Sequence, residues 1–256
     1  MGIGALFRIR LSFGCFSQHP LFNHRHIFLK VLRKFIARKV PYDTLKDFTP
    51  IVILSQGLSL VVIPSTLPMQ LMKELIDYAK RNPKKLSYGS SGNGSSQHLD
   101  AEVLKLGVGI DVVHVPYKGF GQTTQALLGG EVQLAFITLQ AAKGMITGGR
   151  VRILALGEEA RSDVMPGVPA LSELIPGFKK SPQWHAIMGP PGMPRERVMR
   201  INAAAVKALS NPGIRARYRE DGAQIIASTP EEFAGTLKNE LERMTKLVKT
   251  LGIELE

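Results

Sequence analysis

The residues with the most chemical promise form one loop, Ser87-Tyr88-Gly89-Ser90-Ser91-Gly92-Asn93-Gly94-Ser95-Ser96-Gln97-His98. Glycine lets backbone N–H groups come close to a ligand, and a helix N-terminus presents unpaired donors with a partial positive charge. A stretch of this kind suits a carboxylate or a phosphate. The plainer alternative is a flexible turn with Ser95 or Ser96 as a helix cap. Three enzyme motifs fail against it. A phosphate-binding P-loop needs lysine where Ser95 stands after Gly89 and Gly94. The dinucleotide fingerprint needs a third glycine where Gln97 stands. A nucleophile elbow at Ser91 needs glycine where Asn93 stands. Anion binding is left, with no chemistry attached.

The elements around the loop must position it. Lys85–Tyr88 reads as the end of a strand. Leu99, Val103 and Leu106 recur at helical spacing after it, and Gly107 and Gly109 stop the helix. Upstream, Thr49–Leu54 and Leu58–Ile63 read as strands, the second apolar enough to be buried on both faces. Met69–Arg81 reads as a helix closed by Asn82-Pro83. Downstream come strand 111–116, a helix opening at 117–121 and ending at Gly129-Gly130, strand 132–138, helix 141–147 and strand 151–156. This alternation implies βαβ units and a mostly parallel sheet. Ligands sit at the carboxyl ends of such strands, so Ser90–Ser95, Pro116–Gly119 and Ile137–Leu139 share one rim. A proline-rich connection then leads to a strand near Trp184–Met188 and a helix over 194–210 with Val198, Ile201, Ala205 and Leu209 inward. Gln224–Ala227 is a last strand. Thr229, Pro230 and Glu232 open the final helix with a capping box, and Phe233, Leu237, Leu241, Met244 and Val248 form its buried stripe.

The net charge is +12, but eight of the basic residues and no acidic one lie in residues 1–40, leaving +4 for 41–256. That globular part is mildly basic and has no aromatic-interleaved basic stripe, so no nucleic-acid partner is expected. Cys15 is the only cysteine, which excludes an internal disulfide and a cysteine metal site. No run approaches the ~20 apolar residues that span a bilayer. Residues 1–40 lack a good secretory core and an A-x-A cleavage site; a basic tail is the simplest reading, with an amphipathic helix over 28–40. His19, His24 and His26 have no carboxylate or cysteine beside them to make a metal site. His98 reads as a local cap or surface group, His114 as a structural histidine within a strand, and Trp184-His185 as a lining of a cleft. Lys118 stands where a cation beside a bound carboxylate would help. A hydrolase using Ser90 or Ser91 as nucleophile is the competing reading, and a non-binding remnant is another.

Taken together, Tyr42-Asp43…Asp47-Phe48-Thr49-Pro50-Ile51, Lys85 to Ser96, His114-Val115-Pro116-Tyr117-Lys118-Gly119, Leu128-Gly129-Gly130 and Ser228 to Phe233 resemble the substrate-binding proteins of tripartite tricarboxylate transporters, the Bug family. The resemblance covers residues 41–256. It implies an α/β two-lobed periplasmic binding protein, type II-like, with mostly parallel sheets and flanking helices, and no enzyme activity, metal or cofactor. It also implies a small carboxylate ligand (a citrate-like acid, dicarboxylate, amino acid or aromatic acid) and permease subunits as partners. Lobe crossings would fall near Ser65 and Leu156. Lobe 1 would then comprise 41–65 and 154–256, lobe 2 would comprise 66–153, and 1–40 would be an atypical basic segment. Family members carry a strand, a glycine-rich loop and a helix ahead of the Tyr42 segment, so an N-terminally incomplete first lobe is expected. The candidate ligand-binding residues are Gly89, Ser90, Ser91, Gly92, Asn93, Gly94 and Ser95, joined on the rim by Tyr117, Lys118 and Thr138. A helix N-terminus is worth ~0.3–2 kcal/mol to an anion, whereas micromolar affinity requires about 8 kcal/mol. Closure of two lobes must supply the remainder.

Overall fold

Alternation along two strands sets the architecture. The computed structural model describes residues 42–252; the basic stretch 1–40, with its expected helix, Cys15 and three histidines, lies outside them. In β2 (Ser59–Pro64) all six residues are buried, as the apolar run requires. Its Val61 and Ile63 point to one side with Leu134 and Phe136 of β5 (Leu134–Thr138), and Leu60 and Val62 point to the other with Ala135 and Ile137. Successive side chains of a strand face opposite sides of the sheet, so a sheet apolar on both faces must be covered twice. Helices α1 (Met72–Arg81) and α2 (Ser96–Val108) cover the first side through Leu75, Ile76 and Leu104. Helices α3 (Phe120–Leu128) and α4 (Leu139–Thr147) cover the second through Leu127 and Ala142.

The five-stranded sheet has the order β4-β3-β5-β2-β6, with β3 Ser87–Ser90, β4 Val113–Pro116 and β6 Val151–Leu156. Strand β3 pairs in parallel with β4 and β5, while β2 runs antiparallel to both β5 and β6. A three-stranded sheet is formed by β1 (Thr49–Gln56) between β7 (Trp184–Gly189) and β8 (Gln224–Ile225), and both pairings are antiparallel. The sheets are therefore mixed, not mostly parallel. Strand–helix alternation dictates parallel pairing only for the βαβ run from β3 to β5. Strand β2 is placed between β5 and β6 by the chain's entry into this sheet, and β7 and β8 are brought to β1 by long connections.

The sheet that carries the loop begins at Ser59 and ends at Leu156, so β2 shares a sheet with the loop's strand and not with β1. The chain passes from the small sheet to the large one at Gly57-Leu58 and back at Gly157-Glu158, where the Gly157 N–H donates to the Ser59 carbonyl at 2.8 Å.

Helices α5 (Arg195–Leu209) and α6 (Pro212–Glu220) follow β7. Ile201 of α5 is 37% exposed rather than inward, and Asn202 is buried, donating to the Ile51 and Ser228 carbonyls. Helix α7 (Pro230–Leu251) has the expected cap: Thr229 accepts from the Glu232 N–H, and Glu232 accepts from the Thr229 N–H. Its Phe233 and Leu237 pack on Ile53 of β1, and its Met244 packs on Leu99 of α2. One helix thus backs both the small sheet and the helix behind the loop.

Candidate functional site

The loop lies where the sequence puts it, between β3 and α2. Register pairs Ser90 with Pro116 and Gly89 with Ala135. The carboxyl ends of β3, β4 and β5 therefore lie on one rim, bringing together 90–95, Tyr117-Lys118 and Thr138. Ser95 caps α2, its hydroxyl accepting the His98 N–H at 3.3 Å, and Gly109 ends the helix in the left-handed region at φ 67°.

An account of the loop's N–H groups narrows the possible cradle. The Ser91 N–H donates to the Gln97 side-chain oxygen at 2.9 Å, Gly92 to the Ser90 hydroxyl at 3.2 Å, Gly94 to His98 Nδ1 at 2.9 Å, and Ser95 to the Gly92 carbonyl at 3.1 Å. Among the described residues, no protein acceptor takes the N–H of Asn93, Ser96 or Gln97. Asn93 is exposed and the other two are half-buried. These three donors sit at the positive end of a 13-residue helix, where the orphan amides of the first turn and the helix dipole act together.

Two of the expected contact residues do other work. Ser90 is fully buried, its hydroxyl 2.7 Å from His114 Nε2 and 3.1 Å from the Gly92 carbonyl. It fastens the loop from beneath. The same burial removes Ser90 as a nucleophile, although a serine–imidazole pair of this length invites the idea. Gly89 is also buried, in β3; a Cβ there would stand 2.9 Å from the Thr123 methyl group and 3.2 Å from Val132. Its requirement is close packing.

The Tyr117 N–H donates to the Ser90 carbonyl at 3.0 Å, and the same carbonyl accepts the Thr123 hydroxyl at 2.9 Å. The Tyr117 hydroxyl turns toward Glu131 at 3.4 Å, so this residue holds β4 to the loop by its backbone. Lys118 is exposed with its N–H donating to Gln122. Thr138 is half-buried at the end of β5, its methyl group 3.3 Å from where a Cβ on Gly57 would stand.

His98 is buried, not on the surface, at 6% exposure. Its ring stacks on His114 with centroids 3.9 Å apart and planes 11° from parallel, and Tyr88 stacks on His114 at 4.8 Å. Burial pushes the His98 imidazole below its ordinary range; burial and then the neighbouring His98 push His114 down to about 4. Desolvation disfavours the charged ring, so the pair is neutral at pH 7.

A second polar group escapes sequence reading altogether. Asp100, one turn into α2, is fully buried, and its carboxylate accepts the Ser181 N–H at 2.6 Å and the Gln183 side-chain N–H at 3.3 Å. Burial pushes this carboxyl up to about 7, against the opposing pull of the Ser181 bonds and Lys180. Beside it the buried Lys180 ammonium donates to Glu158 at 2.6 Å and to the Gly57 carbonyl at 3.0 Å, and Glu158 accepts the Ser59 N–H at 2.7 Å. The cluster joins both crossings, at 57–59 and 157–158, to the segment that enters β7. Among the described residues the Ser59 hydroxyl is buried there without a hydrogen-bond partner. Lys180 and Gly57, bonded directly, lie 123 positions apart, and a lone buried Asp in a helix of ordinary composition gives no local signal. Among the described residues no group of His, Cys, Asp and Glu could hold a metal ion, and no helix is long and apolar enough to cross a membrane.

Comparison with known proteins adds the following. A family model described as the tripartite tricarboxylate transporter family receptor matches residues 28–253. A UPF0065 protein of a Pseudomonas species is 31% identical over 220 residues, which are 85% of this chain and 65% of that protein. The chain thus spans 65% of the length of this curated relative. Among solved structures, an R. palustris protein with adipate aligns at TM-score 0.83 and 29% identity, over 89% of this chain and 76% of its own. MatC from Rhodopseudomonas palustris with bound malate aligns at TM-score 0.75 and 27% identity, over 84% of this chain and 74% of its own.

Proposed function

We propose that this chain, which belongs to the tripartite tricarboxylate transporter receptor family, captures a small organic carboxylate between two lobes and delivers it to the membrane subunits of such a transporter. The periplasm is the compartment in which a receptor of this kind would work. The ligand class is a dicarboxylate or citrate-like acid, a reading supported by the adipate and malate in the two solved neighbours.

The observation that carries the reading is the set of unengaged N–H groups at Asn93, Ser96 and Gln97, at the start of α2 and beside the carboxyl ends of β4 and β5. A carboxylate has two oxygens and about four lone-pair sites, enough to accept from all three of these donors. In this reading the Ser91 hydroxyl, Thr138 and the Lys118 ammonium are the further contacts on the rim. Charge-assisted bonds to amides are worth ~1.5–3 kcal/mol each, so one end of a dicarboxylate gains a few kcal/mol here. The second carboxylate and the remaining affinity fall to the opposite lobe, built on β1, β7 and β8. The family's relatives extend beyond the matched part, and the activity of the whole receptor is part of the proposal.

Titration calorimetry of the full chain with adipate, malate and citrate tests it. At least one of the three is expected to bind saturably at a 1:1 ratio and to raise the melting temperature. No heat and no melting shift with any of them would overturn the reading.

A further inference from the structure

We propose that His98 and His114 are the positioning residues of the carboxylate loop, their stacked neutral rings fastening the two glycines whose turns aim the N–H groups of Asn93, Ser96 and Gln97 outward. The inference rests on the carboxylate reading above. Gly92 (φ 126°) and Gly94 (φ 68°) both occupy the positive-φ region, which side chains with a Cβ enter only at a cost. Each is tied to a different ring. The Gly94 N–H donates directly to His98 Nδ1 at 2.9 Å, within buried surroundings. The Gly92 N–H donates to the Ser90 hydroxyl at 3.2 Å, and that hydroxyl is 2.7 Å from His114 Nε2. The rings are themselves pressed together, His98 on His114 at 3.9 Å and Tyr88 on His114 at 4.8 Å. Both turns are therefore set by one stack rooted in β3, β4 and α2.

The arrangement demands a particular protonation state. Nδ1 of His98 accepts the Gly94 N–H only while it carries no proton, so the ring's hydrogen is on Nε2. A second proton would place a donor against a donor, and two protonated rings 3.9 Å apart would repel. The charged and titratable groups facing the stack are Glu102 and Lys105 of α2, paired at 2.8 Å, and the Tyr88 hydroxyl of β3, which donates to Glu102 at 2.5 Å. Glu102 is thus engaged twice already and leaves the rings neutral.

The test uses the full chain and two readouts, solvent exchange of the Gly94 amide by NMR and calorimetry with adipate. His98→Leu removes the acceptor; His98→Asn keeps one, because an amide oxygen reaches the place of Nδ1. The expected result is slow Gly94 exchange in the parent and in His98→Asn, exchange at least tenfold faster in His98→Leu, and adipate binding roughly tenfold weaker in His98→Leu only. Unchanged Gly94 exchange in His98→Leu overturns the proposal. Should His98→Leu fail to fold, a series of falling pH decides: Gly94 protection, corrected for intrinsic exchange, is lost at higher pH in the parent than in His98→Asn, and the same course in both overturns it. If Gly94 responds as expected while no carboxylate binds the parent, the positioning role stands and the carboxylate reading falls.

Discussion

The Asp100 carboxylate accepts the backbone N–H of Ser181 at 2.6 Å, across 81 positions of sequence. This bond ties the helix that carries the loop to the segment that leads into the other sheet, and Gln183 adds a second tie from two residues further on. Asp100→Ala leaves a buried N–H without an acceptor, which costs ~1–3 kcal/mol. Asp100→Asn keeps an acceptor for Ser181 and is expected to lose less. Urea midpoints of the two variants against the parent measure both, and equal losses would show that the bond itself contributes little.

The same carboxyl carries a pH signature. Burial raises its folded pKa to about 7 from an ordinary value of 3.8, so the folded chain holds this proton more tightly than the unfolded one. Stability from this group is therefore fully present below pH 3.8 and is lost as pH rises toward 7. Asp100→Asn is expected to remove that decline, seen as a difference in melting temperature between parent and variant that narrows or reverses across pH 4 to 7.

His114 acts in the opposite direction. Its folded pKa is lowered to about 4 from 6.5, so the unfolded chain binds the proton more readily, and stability falls as pH drops from 6.5 toward 4. His114→Gln retains polar contact with Ser90 and does not titrate. Its melting temperature is expected to hold in that window while the parent's falls further. Because the Asp100 slope opposes this one, each is read as a difference from its own variant, never from the parent curve alone.

Gly92→Val and Gly94→Val each force a β-branched residue into a positive-φ turn, at a cost of order 1–3 kcal/mol. The loop is the cheapest place for that strain to be released, so adipate binding is expected to vanish while the far-UV spectrum stays native. Retained affinity in both variants would place the ligand elsewhere.

Lys180→Met strands Glu158 in the interior beside Ser59, since the pair's side chains are 6% and 15% exposed. Breaking a buried pair on one side costs ~3–5 kcal/mol. The double change Lys180→Met with Glu158→Leu is expected to recover part of that loss in guanidinium melts, although it leaves the Ser59 N–H without its acceptor. A double variant no better than Lys180→Met shows that Glu158 acts mainly through Ser59.

Local features of this fold were readable from the chain alone, and distant ones were not. Ser95 before an apolar period, Thr229-Pro230 with Glu232, and Gly109 after Val108 each place their signal within a few residues of the structure they cause. Helix α6 is not evident from the sequence although Asn211 caps it and Pro212 opens it, because its nine residues bury nothing and so carry no apolar period. The loop is legible in the sequence, yet which of its amides the protein itself engages depends on Ser90 meeting His114 across 24 positions and on a ring stack no spacing rule predicts. The direction of β2 is likewise a matter of where the chain re-enters a sheet.

The contact between Met244 of α7 and Leu99 of α2, both fully buried, sets an order of events during synthesis. The helix behind the loop is laid down early, but its outer side stays bare until residues near 244 emerge from the ribosome. A chain halted before that point carries the glycine turns on a helix packed against the sheet but uncovered at Leu99. Late closure of so distant a contact is slow, because the ends must find each other through a long intervening segment.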